Sequence, residues 1–326
     1  MELINNYGAL ACLVDDFQSG DRCKTLGNIL EDKHVSATKQ GHPRSIAAGG
    51  EGFTQKRRIC IPLMSVLGTN SDQYFPMGTD LGMRLRLTFE APDVALVAST
   101  GFTGSLGYSL EDITYECEYL DCDPSVYNSI VEEADGILKV SATGVSNFST
   151  TIPAGSTQNT LLIPARYSSV RNYMTIIREN ATITSKLKNS NGSRTRDNIV
   201  NWVYRLAGKN YPNLPVPADE YNSAETMCEV LKCFHSLHNT QQNVAFNAAN
   251  WVSNGQPLDG AFCLGIDFEE ANQSALQMSG ISTQSANTFL ELQHSAACAA
   301  STVDTFCWYD SIIEIDTRTG ECMVSK

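Results

Sequence analysis

The sequence predicts an all-β protein built from packed antiparallel sheets. Three observations carry that expectation. Two segments alternate strictly between apolar and polar residues, as a half-buried strand requires. Short strand-like runs separated by polar loops follow one another along most of the chain. Only two stretches read as convincing helices. The chain has 326 residues, and single cores stop growing beyond roughly 250–300 residues, so two sandwiches are expected rather than one.

The first alternating segment is Met83-Arg84-Leu85-Arg86-Leu87-Thr88-Phe89-Glu90, apolar at odd positions and polar at even ones. The second is Asp112-Ile113-Thr114-Tyr115-Glu116-Cys117-Glu118-Tyr119, with the same parity. Both read as strands with one row on a core and one toward water. Further strands are expected over 58–67, 94–99, 137–142, 160–163, 173–178, 262–268, 288–293, 305–316 and 321–324. Thr317-Arg318-Thr319-Gly320 separates the last two and reads as a hairpin turn, with Gly320 free to take positive φ.

A helix is expected from Pro124 to Ala134. Asp123 can accept from the first-turn amides, Pro124 suits the first helical position, and Gly136 lies just past the end. A second is expected from Ser223 to Leu237, where Met227, Val230, Leu231 and Phe234 form one apolar stripe. Tyr211 to Pro217 holds three prolines and is expected to be an irregular loop. Gly41 to Gly52 is expected to be a second, flexible loop. The helix near 124–136 is the expected divider between two units, 1–136 and 137–326.

Composition excludes several classes. Apolar residues are 42% and charged residues only 18%, which fits neither a disordered chain nor a long coiled coil. The net charge of −13 rules out a protein that coats nucleic acid along its whole length. No apolar run approaches the roughly 18 residues of a membrane helix. Asp15, Asp16 and Asp21 interrupt the N-terminal stretch, against a secretory signal. The 11 cysteines are scattered through apolar patterns and are expected to be free thiols in a reducing compartment. The four Asn-x-Ser/Thr matches, at Asn147, Asn180, Asn191 and Asn272, are then chance matches.

Charge is uneven. Residues 1–160 carry a net of −9, residues 161–212 a net of +7, and residues 213–326 a net of −11. The basic band consists of Arg166, Arg171, Arg178, Lys186, Lys188, Arg194, Arg196, Arg205 and Lys209. It reads either as a contact for nucleic acid or an acidic neighbour, or as a solvated face balancing the protein's own acids. Few aromatics interleave with it, which favours the second reading.

No motif amounts to an enzyme signature. Gly101-Phe-Thr-Gly104-Ser-Leu-Gly107 lacks the lysine of a phosphate loop, and Ser105 lacks the first glycine of a nucleophile elbow. None of the five histidines, His34, His42, His235, His238 and His294, sits in a catalytic context. Cys228, Cys233, His235 and His238 offer a zinc-type ligand set at unfavourable spacing, since helical positions five apart diverge. Glu116 and Glu118 share one strand face with Asp121 nearby, but a glycosidase needs its carboxylates across a cleft. No catalytic, cofactor-binding or metal-binding residue is assigned.

Several strings resemble the double jelly-roll major capsid proteins of the tectivirus–adenovirus lineage, above all those of Polinton-like elements and virophages. They are Ile59-Cys-Ile-Pro-Leu-Met-Ser-Val-Leu-Gly68 followed by Phe75-Pro-Met-Gly78, then Leu85 to Glu90, and Tyr108 to Tyr115 with Asp121 and Tyr127 downstream. In the second half they are Ile163-Pro-Ala-Arg-Tyr-Ser-Ser-Val170 and Ser279-Gly-Ile-Ser-Thr283. Their order, from about residue 55 to the C-terminus, is what carries the likeness. The resemblance implies two jelly-roll β-sandwiches with a few short helices, the first in 1–136 and the second in 137–326. It implies a structural subunit of an icosahedral DNA-virus virion, not an enzyme, that trimerises into pseudo-hexameric capsomers. Its partners would be its own copies and minor or penton capsid proteins, with the basic band as a weak contact for genome or inner membrane. Members usually have more strands before the segment matching Met1–Phe17. The first barrel is therefore expected to be abbreviated, completed by another chain, or cut off. The alternative is a carbohydrate- or receptor-binding β-sandwich, such as a viral spike or lectin, which predicts exposed aromatic platforms.

Overall fold

The computed structural model of the chain describes residues 2–18, 59–61, 63–65, 75, 84–96, 98, 103–234, 244, 246–254, 260–269 and 280–326. Eight strands build the body: β1 (Ile137–Ile152), β2 (Gln158–Ile163), β3 (Val170–Glu179), β4 (Ile199–Leu206), β5 (Lys209–Pro217), β6 (Leu264–Asp267), β7 (Thr288–His294) and β8 (Ser301–Asp316). A ninth, β9 (Cys322–Ser325), folds back on β8. One sheet runs β1-β8-β3-β6 with β9 attached to β8, and the other runs β2-β7-β4-β5. All ladders are antiparallel.

The pairing has a simple rule. β1 pairs with β8, β2 with β7, β3 with β6 and β4 with β5. One long antiparallel ribbon of four strand pairs, wrapped so that alternate pairs fall on opposite sides, gives that result. It is the eight-stranded jelly roll. The protein is thus mostly antiparallel β with few short helices, and its described sheets form a jelly-roll sandwich.

The sheets meet over a core of large side chains. Trp202, Tyr173, Tyr204, Phe262 and Leu290 are fully buried, each stabilising the fold by roughly 1.5–3 kcal/mol. Thr175 on β3 bridges the sheets, with hydroxyl contacts of 2.7 Å to Tyr204 and 2.8 Å to Thr305. Thr305 therefore points inward, and by strand parity Asp304 points outward.

The helices are α1 (Tyr7–Gln18), α2 (Pro92–Ala95), α3 (Pro124–Glu133), α4 (Asn180–Ile183), α5 (Ala224–Cys233) and α6 (Ala248–Trp251). α3 starts as expected, with Asp123 accepting from the Ser125 amide at 2.8 Å. α5 covers the flank between β5 and β6. Its Thr226 hydroxyl accepts from the Trp202 indole at 2.8 Å and donates to the Pro217 carbonyl at 2.7 Å. α1, unexpected from the sequence, extends that cover. Leu10, Leu13 and Phe17 are buried, and Phe17 stacks on Phe234 with ring centroids 5.0 Å apart.

Two of the strings that carry the resemblance meet in space. Val170 and Ile281 exchange backbone hydrogen bonds of 2.8 and 2.9 Å, and Thr283 donates to the Tyr167 carbonyl at 2.9 Å. Gly280 is required by this contact, because a Cβ there would lie 2.2 Å from the Val170 carbonyl oxygen.

Several expectations need correction. Residues 84–90 and 112–119 carry no strand, and their residues are exposed. A period of two supplies an apolar row, but a strand also needs a ladder neighbour, and none is present among the described residues. Of the strand expected over 94–99, Val94 and Ala95 end α2, started by Pro92, and Ala98 is an isolated bridge residue, while residues 97 and 99 lie outside the described residues. Tyr211 to Pro217 is not an irregular loop but part of β5, which among the described residues is an edge strand paired with β4 alone. Prolines are tolerated at edges because one side of the strand needs no donors. Gly41 to Gly52 and the strand expected over 58–67 lie wholly or largely outside the described residues. The expected hairpin is present, with Gly320 at φ +70°.

Gly280→Ala should lower stability by roughly 1–3 kcal/mol, the usual cost of overpacking. Urea denaturation checks this, and an unchanged midpoint would show that the 165–170 and 280–283 segments are not in close contact.

Candidate assembly surface

By number, most of the exposed large apolar side chains among the described residues lie before the sandwich, although Leu214, Tyr221 and Met323 lie beyond its first strand. Leu85, Leu87 and Phe89 are 44–52% exposed, and Ile113, Tyr115 and Tyr119 are 51–80% exposed. They are the apolar rows of the two alternating segments. Scattered exposed apolar residues are ordinary; here they fall in rows along two segments.

The two flanks of the jelly roll differ. α5 closes the β5/β6 flank. The β1/β2 flank is an open groove of about 630 Å³, lined by Asn147, Phe148, Thr150, Asn159, Leu161 and Leu162 among others. No charged side chain lines it, so it offers shape and neutral hydrogen bonding rather than electrostatic attraction.

A polar cluster anchors the meeting strings to β8. Ser169 donates to Asp310 at 2.6 Å and accepts from the Gly280 amide at 3.0 Å. Arg171 donates to Glu269 at 2.7 Å and lies 3.9 Å from Asp310. Burial pushes the Asp310 carboxyl above its ordinary value, against the opposing effects of Ser169 and Arg171. Nearby, Tyr167 stacks on Tyr309 at 3.9 Å between ring centroids, and burial raises both phenols.

The basic band does not form one face. Arg178 is buried and paired with Asp304; Arg194 is buried and paired with Asp16. Arg196 is buried and donates to the Val252 and Ile199 carbonyls. Arg166 binds the Gln284 and Ala286 carbonyls, Lys186 binds the Gly104 carbonyl, and Arg205 pairs with Glu291. Much of the band serves the fold itself, because arginine can satisfy several buried acceptors at once. Sequence alone could not separate these roles, since charge counting does not register burial.

The other candidates disperse. On α5, Cys228 is exposed while Cys233 is buried and donates to the Glu229 carbonyl. His235 and His238 lie outside the described residues, as do His34 and His42. No group of three or more metal-type ligands forms among the described residues. Glu116, Glu118, Asp121 and Asp123 are exposed, and Asp123 serves as the cap of α3. His294 is buried and hydrogen-bonded to the Asp197 carbonyl and to Asn159, tying the end of β7 to β2 and to the loop that leads into β4. Ten cysteines lie among the described residues and all are unbridged. Burial raises Cys233 and Cys307 well above the ordinary thiol value and pushes Cys263 up to about 12.

No family model matches the chain, and no curated protein matches it. Solved structures do. The crystal structure of the mavirus major capsid protein is 9% identical at a TM-score of 0.34, covering 58% of this chain and 41% of that one. The quasi-atomic model of the PBCV-1 virus capsid is 7% identical at 0.34, covering 58% and 52%. The cryo-EM structure of the Sputnik virophage is 11% identical at 0.33, covering 58% and 39%. The chain spans about half the length of the structures it matches. At these values the likeness adds nothing to the strand order, which defines the jelly roll by itself.

Two outcomes follow from the titrating groups. Asp310 holds its proton to higher pH in the native chain than its ordinary value of 3.8. The native state therefore binds more protons between those two values, so this group's contribution to stability grows as pH falls through that window. Wild type should gain stability relative to Asp310→Asn as the pH falls toward 3.8, read from urea midpoints, since the variant lacks that proton equilibrium. Parallel profiles would refute it. Cys60, Cys117, Cys122, Cys228 and Cys322 are exposed and should react with a charged thiol reagent in the native chain. Cys233, Cys263 and Cys307 should react only after unfolding, with mass spectrometry of peptides as the readout.

Proposed function

We propose that the chain is a structural shell subunit, a capsid protein of double jelly-roll type whose copies trimerise into pseudo-hexameric capsomers and tile an icosahedral virion. The observation that carries this is the strand order β1-β8-β3-β6 over β2-β7-β4-β5. Jelly rolls serve viral capsids and lectins among others, and a fold does not fix a function. The order of strings along the sequence favours the capsid among these, and two of those strings form one contact, between 165–170 and 280–283.

In this reading 1–136 belongs to a first jelly roll and 137–326 is the second. The partners are other copies of the chain, then minor or penton capsid proteins. Of the basic band, Arg166, Arg205 and Lys209 are exposed and supply any contact with genome or inner membrane. Ten unbridged cysteines suit assembly in a reducing compartment before release in the virion. A structural role needs no catalytic constellation. The lectin alternative gains no support from the tryptophans, since Trp202 and Trp251 are buried in the core.

Size-exclusion chromatography with light scattering tests the reading. Three copies of 35.6 kDa, about 107 kDa, or larger closed shells are expected of symmetric association. A stable monomer at working concentration would overturn it.

A further inference from the structure

The β1–β8 ladder outruns its neighbour β3. β1 and β8 pair along their whole length, from Ile137 with Asp316 to Ile152 with Ser301. β3 accompanies β8 from Ser301 to Tyr309, and β9 then takes that side from Ile312 to Ile315. The far end is a three-stranded overhang, β1-β8-β9. Its inward row continues that of the sandwich, since Ile313 and Ile315 share the parity of Thr305. Ile313 pairs with Val140, and Ile315 with Leu138. Val140, Ile313 and Ile315 are buried, Ile315 completely, and among the described residues they form a cluster apart from the sandwich core. Phe75, from the Phe75-Pro-Met-Gly78 string, packs on this cluster.

The same end of the sheet grips the passage from α3 into β1. The amides of Ala134, Asp135, Gly136 and Ile137 donate to the carbonyls of Ile130, Glu132, Val131 and Ala134, all between 2.8 and 3.1 Å. Gly136 takes φ +78°, a left-handed conformation that suits glycine. Thr317, in the turn between β8 and β9, donates its amide and its hydroxyl to the Gly136 carbonyl, both at 2.9 Å, and Arg318 donates to the Asp135 carbonyl. A further contact lies elsewhere: the Ala98 amide donates to the Lys186 carbonyl at 2.8 Å, and the Ser190 hydroxyl to the Val94 carbonyl at 3.0 Å.

We propose, resting on the two-jelly-roll reading above, that the β1-β8-β9 overhang is the seat of the first jelly roll on the second. Seat and bonded joint together make the chain one cooperative body with a fixed angle between its sandwiches. Units within a chain move relative to one another by default, unless the surface between them is large and apolar. Here an apolar cluster takes Phe75, and every amide of the connection is bonded. A fixed angle serves symmetric association, which needs the same geometry in every copy.

Tryptophan fluorescence can read this. Trp202, Trp251 and Trp308 all lie in 137–326 and are the chain's three tryptophans, so their signal reports the second sandwich alone. In urea, Phe75→Ala should raise the unfolding constant read by fluorescence several-fold. In an Ile313→Ala background the same change should act at least about two-fold more weakly, because its partner has gone. Ile313→Val repeats the cycle if Ile313→Ala does not fold. Asp123→Ala separates cooperative coupling from local packing. It removes the cap of α3, and should raise the fluorescence-read constant about five-fold if both halves unfold together. An unchanged midpoint in Phe75→Ala or in Asp123→Ala, or an equal effect of Phe75→Ala with and without Ile313, would overturn the proposal. Coupled effects in a chain that stays monomeric by light scattering would uphold the seat and overturn the shell reading instead.

Discussion

The fold depends on one buried ion pair. Asp304, fully buried on β8, accepts from Arg178 Nε at 3.2 Å and from its Nη2, and from the Asn6 amide group at 2.8 Å. Arg178, on β3, also donates to the Ser190 carbonyl at 3.0 Å. β8 is the strand that β1, β3 and β9 all pair with. The pair thus joins the central strand, its neighbour, the loop at Ser190 and the residue that precedes α1. Removing one partner of a buried pair typically costs about 3–5 kcal/mol, because the other charge is left buried and uncompensated. A register slip of one residue between β3 and β8 would impose the same penalty, since side chains alternate between faces. The pair therefore specifies the register at least as much as it adds stability.

That constraint explains the layout around the sandwich. Asp304 faces outward, so something must cover it, and the segment leading into α1 does. α1 continues onto Phe234, Phe246 and Trp251 through Phe17, and Asp16 reaches the buried Arg194. Cover is thus concentrated on one sheet and on the β5/β6 flank. The β1/β2 flank keeps its open groove. The chain N-terminal to β1 then meets two different fates: its first helix is sealed into the core, while 84–90 and 112–119 remain at the surface.

Most strands of the sandwich were legible because their periods were clean. β2, β3, β7 and β8 lie where alternating or continuous apolar runs mark them, and β1 proved longer than its marked start because Thr143 to Thr151 is mostly polar, with Val145 and Phe148 its only large apolar residues, yet pairs along its whole length with β8. β4 was missed. Its ladders shift register near Ile199 with β7 and between Trp202 and Tyr204 with β5, and a bulge breaks the period of two that the eye follows. β5 was misread because proline counts against a strand unless the strand is known to be an edge. α1 was missed because Asp15 and Asp16 interrupt its apolar run; pairing of Asp16 with a distant arginine is a tertiary fact. The surface of the candidate site was legible as two alternating rows, but the absence of a ladder neighbour among the described residues was not, since pattern says which face is apolar and not what covers it.

Charge sets the terms for any assembly of this chain. The net charge is −13, and four of the nine basic-band residues, Arg171, Arg178, Arg194 and Arg205, are committed to acids within the chain. The band therefore offers less positive surface than its count suggests, and copies approaching at random repel. Screening shortens that repulsion to about 8 Å at physiological ionic strength, but does not reverse it at contact. Attraction must come from short-range complementarity: apolar area removed from water, and opposite charges held in one register. The only described segments that combine an exposed apolar row with unlike charge rows are 84–90 and 112–119. Like-charge repulsion of this kind favours selectivity in any association of the chain, because a misaligned encounter keeps the penalty and an aligned one with opposite charges in register relieves it.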